Sequence, residues 1–454
     1  MPAVRSRALV AGPTPLKHVD FILNSAAVAG LLGGEEALTS MAAVHVFGGK
    51  TWLGWYNSPG SYTMGLRFMQ LARSAVPAYD DGEVQADLAT LFEYNGWRGP
   101  KFTAVHSGTI MQDTGHIAAL LMKECAELGA AAIAGGRKTQ SFGVTIARLR
   151  SPPKASVEVP SPRPYVVFFA SIPILVSVST CVLSAVYQDW YGFAIIFFGI
   201  IANGFASMVI GFGKFQFTHP EPAPGSPPGD GILGCDEGIV LLKGAEGAVN
   251  AVTRGRFFLL FESKDASRNL RICSILLITQ SLVMLILISQ SSFFGQLMFV
   301  ISLATSWGYN LWLWTFDKEK IQREILRKVL GKPKLTKFIL RTRTSMLVFV
   351  ALALKLTDAK EITKVFLVPD TLVWDKWKKI VIKGLRDERN LEFEDADWNC
   401  DGFSVEQKTL LKTLLEDAMV AYKLFDEHKG EIVVDEKEVV GNEETVGSEK
   451  EVAG

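Results

Sequence analysis

The sequence predicts a mainly α polytopic membrane protein, with four transmembrane helices in two hairpins and cytosolic α-rich segments around them. Three observations predict it. Four long runs, residues 165–186, 190–212, 272–290 and 293–316, contain no Asp, Glu, Lys, Arg or His. The first would rise roughly 33 Å as a helix, enough for a hydrocarbon core of about 30 Å. The third, at about 28 Å, lies near the lower limit for spanning. Only Tyr187-Gln188-Asp189 and Ser291-Ser292 separate the members of each pair, so each pair is a tight hairpin. Lys and Arg are missing from both turns and gather on every other flank. Arg148, Arg150, Lys154 and Arg163 precede the first run; Lys214, Lys243, Arg254, Arg256, Lys264, Arg268 and Arg271 lie between the hairpins. Cytoplasmic loops collect such charges, so both termini and the middle loop are expected in the cytosol, in a plasma membrane or endomembrane.

Composition agrees. The chain has 454 residues, 48% of them hydrophobic, zero formal net charge and a mean hydropathy of +0.22. Its five cysteines (125, 181, 235, 273 and 400) form no CxxC pair, so neither a disulfide framework nor a zinc site is indicated. Asn57-Ser58-Pro59 fails as a glycosylation acceptor because its third residue is proline. Near the start, Arg5, Arg7 and Lys17 precede the apolar run 21–32, but that run contains Asn24 and begins late for a signal peptide.

Taken in order, residues 1–150 form an N-terminal cytosolic region of uncertain fold, with Gly, Ala and aromatics mixed without a sustained period. A helix is expected within 113–133, where Ile117, Leu120, Leu121, Cys125 and Leu128 recur at helical spacing before Gly135-Gly136. Residues 42–47 are apolar and strand-like. Residues 151–164 are a Pro-rich linker, followed by hairpin 1 at 165–212. The loop 213–270 is a small lobe, with apolar runs at 238–242 and 257–261 bracketing a short helix at 245–253. Hairpin 2 occupies 271–316. In the cytosolic helical region 317–430, helices are expected at 317–330, at 370–385 and after the capping box Ser404-Val405-Glu406-Gln407. Residues 346–354 are apolar but too short to span. The tail 431–454 is acidic, lacks aromatics and is expected to be disordered.

The segments Pro228-Gly229-Asp230-Gly231-Ile232-Leu233, 246–257 (EGAVNAVTRGRF) and Asp317-Lys318-Glu319-Lys320-Ile321-Gln322 resemble uncharacterised multi-pass membrane proteins of basidiomycete-type fungi, a likeness covering roughly residues 165–386. The resemblance implies a membrane fold and no particular chemistry.

Two motifs invite chemical readings and fall short. Gly48-Gly49-Lys50-Thr51 would need a further glycine at the position of Val44 to wrap phosphates. Asp397-Trp398-Asn399-Cys400-Asp401-Gly402 matches half a calcium loop, but the closing carboxylate falls on Lys408. No catalytic set, cofactor motif or metal-ligand spacing emerges, so no enzyme activity or cofactor is expected. The expected function is that of a membrane anchor or scaffold binding anionic lipid or partner proteins through cytosolic segments. Lys318, Lys320, Arg323, Arg327 and Lys328 are its lipid-contact candidates. The alternative is an oligomeric channel or passive transporter. Without charges in the spans it would not be proton-coupled, and Asn203, Gln280, Gln296 and Asn310 would be its pore-lining or helix-contact residues. The partners expected are the bilayer, anionic lipids, and a second copy or other proteins; nucleic acid is not among them.

Overall fold

A computed structural model describes residues 33–46, 52–77, 83–87, 99–135, 137, 139–150, 164–235, 238–315, 318–356, 369, 371–386 and 393–432. The glycine-rich 48–51, most of the linker and the tail beyond 432 lie outside the described residues.

In chain order, helix α1 (Gly34–Met41) runs into a π-helical turn (Ala42–Val46), followed by α2 (Ser61–Ser74) and strands β1 (Val76–Pro77), β2 (Val84–Asp87), β3 (Lys101–Ala104) and β4 (Ile110–Met111). Then come α3 (His116–Glu127), β5 (Ala132–Ala134), β6 (Phe142–Arg148), α4 (Pro164–Val186), α5 (Trp190–Gly211) and β7 (Lys214–Thr218). The middle stretch forms β8 (Gly231–Cys235), β9 (Gly238–Lys243), α6 (Glu246–Thr253) and β10 (Arg256–Phe261). Helices α7 (Ala266–Leu287) and α8 (Phe293–Trp314) precede α9 (Lys318–Val329), β11 (Lys334–Leu340), α10 (Arg343–Ala353), α11 (Leu372–Arg386), α12 (Asp395–Trp398), α13 (Val405–Glu427) and α14 (Lys429–Ile432).

These elements form two compact units, each drawn from three chain segments. One takes residues 1–96, 156–217 and 257–321; the other takes 97–155, 218–256 and 322–454. The N-terminal region is itself parted between the two units, at 96/97.

The first unit is built on α4, α5, α7 and α8. Three stretches, Phe168–Val186, Trp190–Gly211 and Ala266–Gln290, are long and apolar enough to cross a membrane. Helix α8 is equally long at 22 residues, and its several Trp, Tyr and Asn residues make it less apolar. Helix α7 starts at Ala266, upstream of the uncharged run, and so includes Arg268 and Arg271 in its first turns. Polarity is inverted relative to a water-soluble protein. Phe168, Leu175 and Ile286 are 68%, 65% and 66% exposed, whereas Ser177, Ser302 and Asn310 are fully buried. Asp189 joins the two hairpin turns. Its carboxylate accepts from Gly192 N at 2.9 Å, starting α5, and from Ser291 Oγ at 2.9 Å and Ser292 N at 2.8 Å at the start of α8. Gly192 and Gly295 allow the approach: a Cβ on Gly295 would fall 2.1 Å from the carboxylate. A four-stranded sheet, ordered β1-β2-β10-β7, completes the unit.

The chain is mainly helical, but the expectation of α-rich segments outside the hairpins misses the sheet of the second unit, which has seven strands, mixed, in the order β4-β3-β8-β9-β6-β11-β5. β6 pairs in parallel with β9 and antiparallel with β11, so its side chains from Val144 to Ala147 are buried on both faces. Phe338, Leu340 and Ile146 pack with Phe349, Trp377, Leu415 and Phe425 of α10, α11 and α13 into one core. Trp377 is buried here and donates to Leu414 O at 3.1 Å, so the Lys-rich α11 presents its apolar stripe to protein. The anticipated capping box opens α13: Ser404 Oγ accepts from Gln407 N at 3.2 Å, and Gln407 Oε1 accepts from Ser404 N at 3.0 Å.

Candidate functional site

The strand-like run at 42–46 is not a strand. It is π-helical, and the described residues 33–46 and 52–74 make a hairpin that packs among the first unit's helices. The hairpin goes in through α1 and the π-turn, and returns through α2. At its base, Gly33 and Gly60 hold the left-handed conformation (φ +79° and +74°), and a Cβ on Gly60 would meet the Gly34 backbone at 2.2 Å. On the way out, α2 lies along α7 at Gly65. Ser274 Oγ donates to Gly65 O at 2.7 Å, and a Cβ there would stand 2.7 Å from Ile278 Cγ1. Side-chain-free positions therefore set how deeply the hairpin seats.

Between π-turn and α2, residues 52–60 are irregular backbone at the level of the helix interiors. Backbone N–H and C=O groups that lack helical partners must find others or stay solvated. The surrounding helices supply them. Asn203 Nδ2 of α5 donates to Gly54 O at 2.7 Å. Ser177 Oγ of α4 accepts from Asn57 N at 3.1 Å and stands 3.1 Å from Ser302 Oγ of α8. Tyr56 OH donates to Asn310 Oδ1 at 3.0 Å, and Asn310 Nδ2 donates to Ser58 Oγ at 3.3 Å. The loop backbone at 54 and 57, and its side chains at 56 and 58, are thus tied to α4, α5 and α8.

Asn57 is different. Its side chain is 1% exposed, yet neither Oδ1 nor Nδ2 has a hydrogen-bond partner among the described residues. Gln280 of α7 is 4% exposed, and its Oε1 is likewise unpartnered. Both amides occupy the space above Gly199, where a Cβ would fall 2.0 Å from Asn57 Oδ1 and 3.1 Å from Gln280 Nε2. A similar close approach brings Gly54 to Ser207 and His45, with a Cβ 2.0 Å from Ser207 Oγ and 3.3 Å from His45 Nε2. Ser207 Oγ is also buried without a partner among the described residues. Leaving a buried polar group unpaired costs about 1–3 kcal/mol, so this concentration within one bundle is costly unless it serves a ligand.

Three of the four expected lining residues, Asn203, Gln280 and Asn310, therefore converge on the inserted hairpin. The fourth does not: Gln296 Nε2 donates to Ile288 O at 3.2 Å and Ser291 O at 3.1 Å, closing the turn between α7 and α8. Gly54 and Tyr56 carry no signal in the sequence, and Asn57 and Ser58 stand out only as a failed glycosylation acceptor, because nothing in the unperiodic N-terminal region marks them as partners of the long helices.

Among the lipid-contact candidates, Arg323 and Arg327 pair with Glu127 and Glu124 of α3, within the second unit. Lys328 is exposed, and the side chains of Lys318 and Lys320 lie outside the described residues. Among the described residues no three of His, Cys, Asp and Glu stand together as metal ligands. Cys125 in α3 is a buried thiol pushed up to about 12 by that burial, with Glu124 adding to the shift, so it is not a thiolate near neutral pH.

Comparison of the chain with protein-family models, with curated proteins and with solved structures returned no match.

Proposed function

We propose that the first unit is a four-span membrane bundle that admits a small, uncharged, hydrogen-bonding solute at its core and passes it across the bilayer passively, with the hairpin of residues 33–46 and 52–74 as gate. The observation that carries this reading is the orphaned Asn57 amide beside the orphaned Gln280 Oε1, above Gly199. Amides and hydroxyls offer donors and acceptors without net charge, which suits a neutral ligand. Irregular backbone at membrane depth is otherwise tolerated where it is buried in protein or lines a water-filled path, and transporters use such breaks at their binding sites. The fourth span in this reading is α8. The Lys and Arg bias supports an orientation with both termini and residues 213–270 in the cytosol and the two Asp189-linked turns outside. The anchoring role expected from the basic run has less support, since Arg323 and Arg327 already have carboxylate partners.

The test is solute flux into proteoliposomes, followed by light scattering with glycerol and urea as probes. The wild-type chain should raise permeability above protein-free vesicles. Gln280→Leu should cut that increase at least about tenfold while leaving the thermal midpoint equal or higher, because an apolar side chain of similar shape removes an unpaired group. Wild-type flux no greater than that of empty vesicles overturns the reading, as does unaltered flux in the variant.

A further inference from the structure

A second unassigned site lies on the outer face of the first unit, between α4 and α8. A groove of about 200 Å³ is lined there by Phe169, Ile172 and Pro173 of α4 and by Gly308, Tyr309 and Trp312 of α8. That exceeds the dry, apolar cavity of about 150 Å³ that takes up benzene. The rings of Phe169 and Trp312 meet at 4.8 Å in its wall. Gly308 leaves it open, since a Cβ there would meet nothing within 4 Å. Phe169 and Ile172 are exposed, so the groove opens on the apolar surface that also carries Phe168 and Leu175. Two polar groups border it. Pro173 has no N–H, so the Phe169 carbonyl four residues earlier lacks its helical donor. Tyr309 is 8% exposed, and its hydroxyl has no hydrogen-bond partner among the described residues.

These features select a ligand. The surface around the groove is the one that hydrocarbon covers once the bundle is in a bilayer, so the occupant enters from lipid. Aromatic walls favour a rigid, flat body of ring size, which binds with less ordering cost than a flexible acyl chain. One acceptor beside one donor fits a single hydroxyl: its O–H donates to the Phe169 carbonyl, and its oxygen accepts from Tyr309. Depth agrees. Phe169 lies five residues into α4 and Tyr309 five residues before the end of α8, each about 8 Å along the axis. A hydroxyl at that level lies beneath the headgroups, with the rings behind it running toward the midplane. We propose that this groove binds one sterol, its hydroxyl toward Phe169 and its fused rings against Ile172 and Gly308. The inference rests on the first unit lying in a bilayer, and not on passage of a solute through it.

Binding of tritiated cholesterol to the full chain in detergent tests it. The competitors are unlabelled cholesterol, cholestane (the same skeleton without the hydroxyl) and dioleoyl phosphatidylcholine. Binding should saturate, and cholestane and the phospholipid should each displace the label at least about tenfold more weakly than cholesterol. Gly308→Leu should abolish saturable binding without lowering the thermal midpoint, because its Cβ has open space. Pro173→Ala returns an N–H to the Phe169 carbonyl, and Tyr309→Phe removes an unpaired hydroxyl, so both variants should fold. Each should shrink the preference for cholesterol over cholestane at least about threefold. No saturable binding by the wild type, equal displacement by cholestane or phospholipid, full binding by Gly308→Leu, or an intact hydroxyl preference in both other variants would each overturn the proposal. Flotation of the chain with vesicles reports membrane placement separately, so a chain that floats yet binds no sterol refutes the groove alone.

Discussion

Lys243 shows how much one side chain can cost. It ends β9 opposite Arg148 of β6, which in turn stands opposite Lys334 of β11, so three cations share a rung of the sheet. Its ammonium is buried and donates to Ile432 O at 3.3 Å. Burial pushes the Lys243 pKa down to about 8; Lys355 and Arg148 add to the shift and Asp230 opposes it. Because folding lowers this pKa, the unfolded chain holds the proton more tightly. The penalty is therefore full below about pH 8 and fades as pH rises toward the free-lysine value of about 10.4. Lys243→Met should raise stability by about 1–3 kcal/mol at pH 7. The gap between variant and wild-type thermal midpoints should narrow at pH 10; a constant gap would show that the charge is not the cause. At this scale the sequence was informative where a residue contrasts with its neighbours. Asn203, Gln280 and Asn310 stand out in apolar runs, and the structure gathers them. Asn57 sits in mixed surroundings, and only the folded chain shows that its amide is buried without a partner among the described residues.

At the scale of elements, the two hairpins are joined through one carboxylate. Asp189 is 6% exposed and accepts from backbone and hydroxyl donors at the starts of both α5 and α8. Helix N-termini favour a negative charge, and removing a cap costs about 1 kcal/mol before the stranded donors are counted. Asp189→Ala should lower the thermal midpoint in detergent by more than Asp189→Asn does, because asparagine keeps one acceptor. Equal midpoints for wild type and the Ala variant would show that the link is idle. The long apolar helices were legible because each contains a long uncharged run, and α13 because its box is local in sequence. The strands were not. β6 is buried on both faces and shows no alternation, while β3, β5 and β8 have only three to five residues. The π-turn at 42–46 resembles a strand because its apolar residues are packed on all sides by the bundle rather than along one helical stripe.

At the scale of the whole molecule, the chain alternates between its units. β3 and β6 are made early, but β3 pairs with β8, and β6 pairs with β9 and β11, which are separated from it by one hairpin and by two. A chain truncated after Gly331 lacks β11 and the α10, α11 and α13 core. In limited proteolysis read by mass spectrometry, residues 99–150 should become cleavable in that truncation while 164–211 stay protected. Continued protection of both would show that the early strands need no later partner. Composition does not show that residues 97–155 belong with 218–256 and 322–454: it records solvent preference, not which distant strand a segment will join.

Interleaving has a consequence for biosynthesis. On the proposed threading, β6, β9 and β11 meet only if every helix between them has inserted, since one missed crossing would strand β11 in the opposite compartment. The orphaned flank of β6 would then remain a bare, sticky edge, open to aggregation and to quality-control proteases. On that threading, closure of the seven-stranded sheet would depend on correct insertion of the helices between its strands, and it could be completed only once β11, at residues 334–340, has been made.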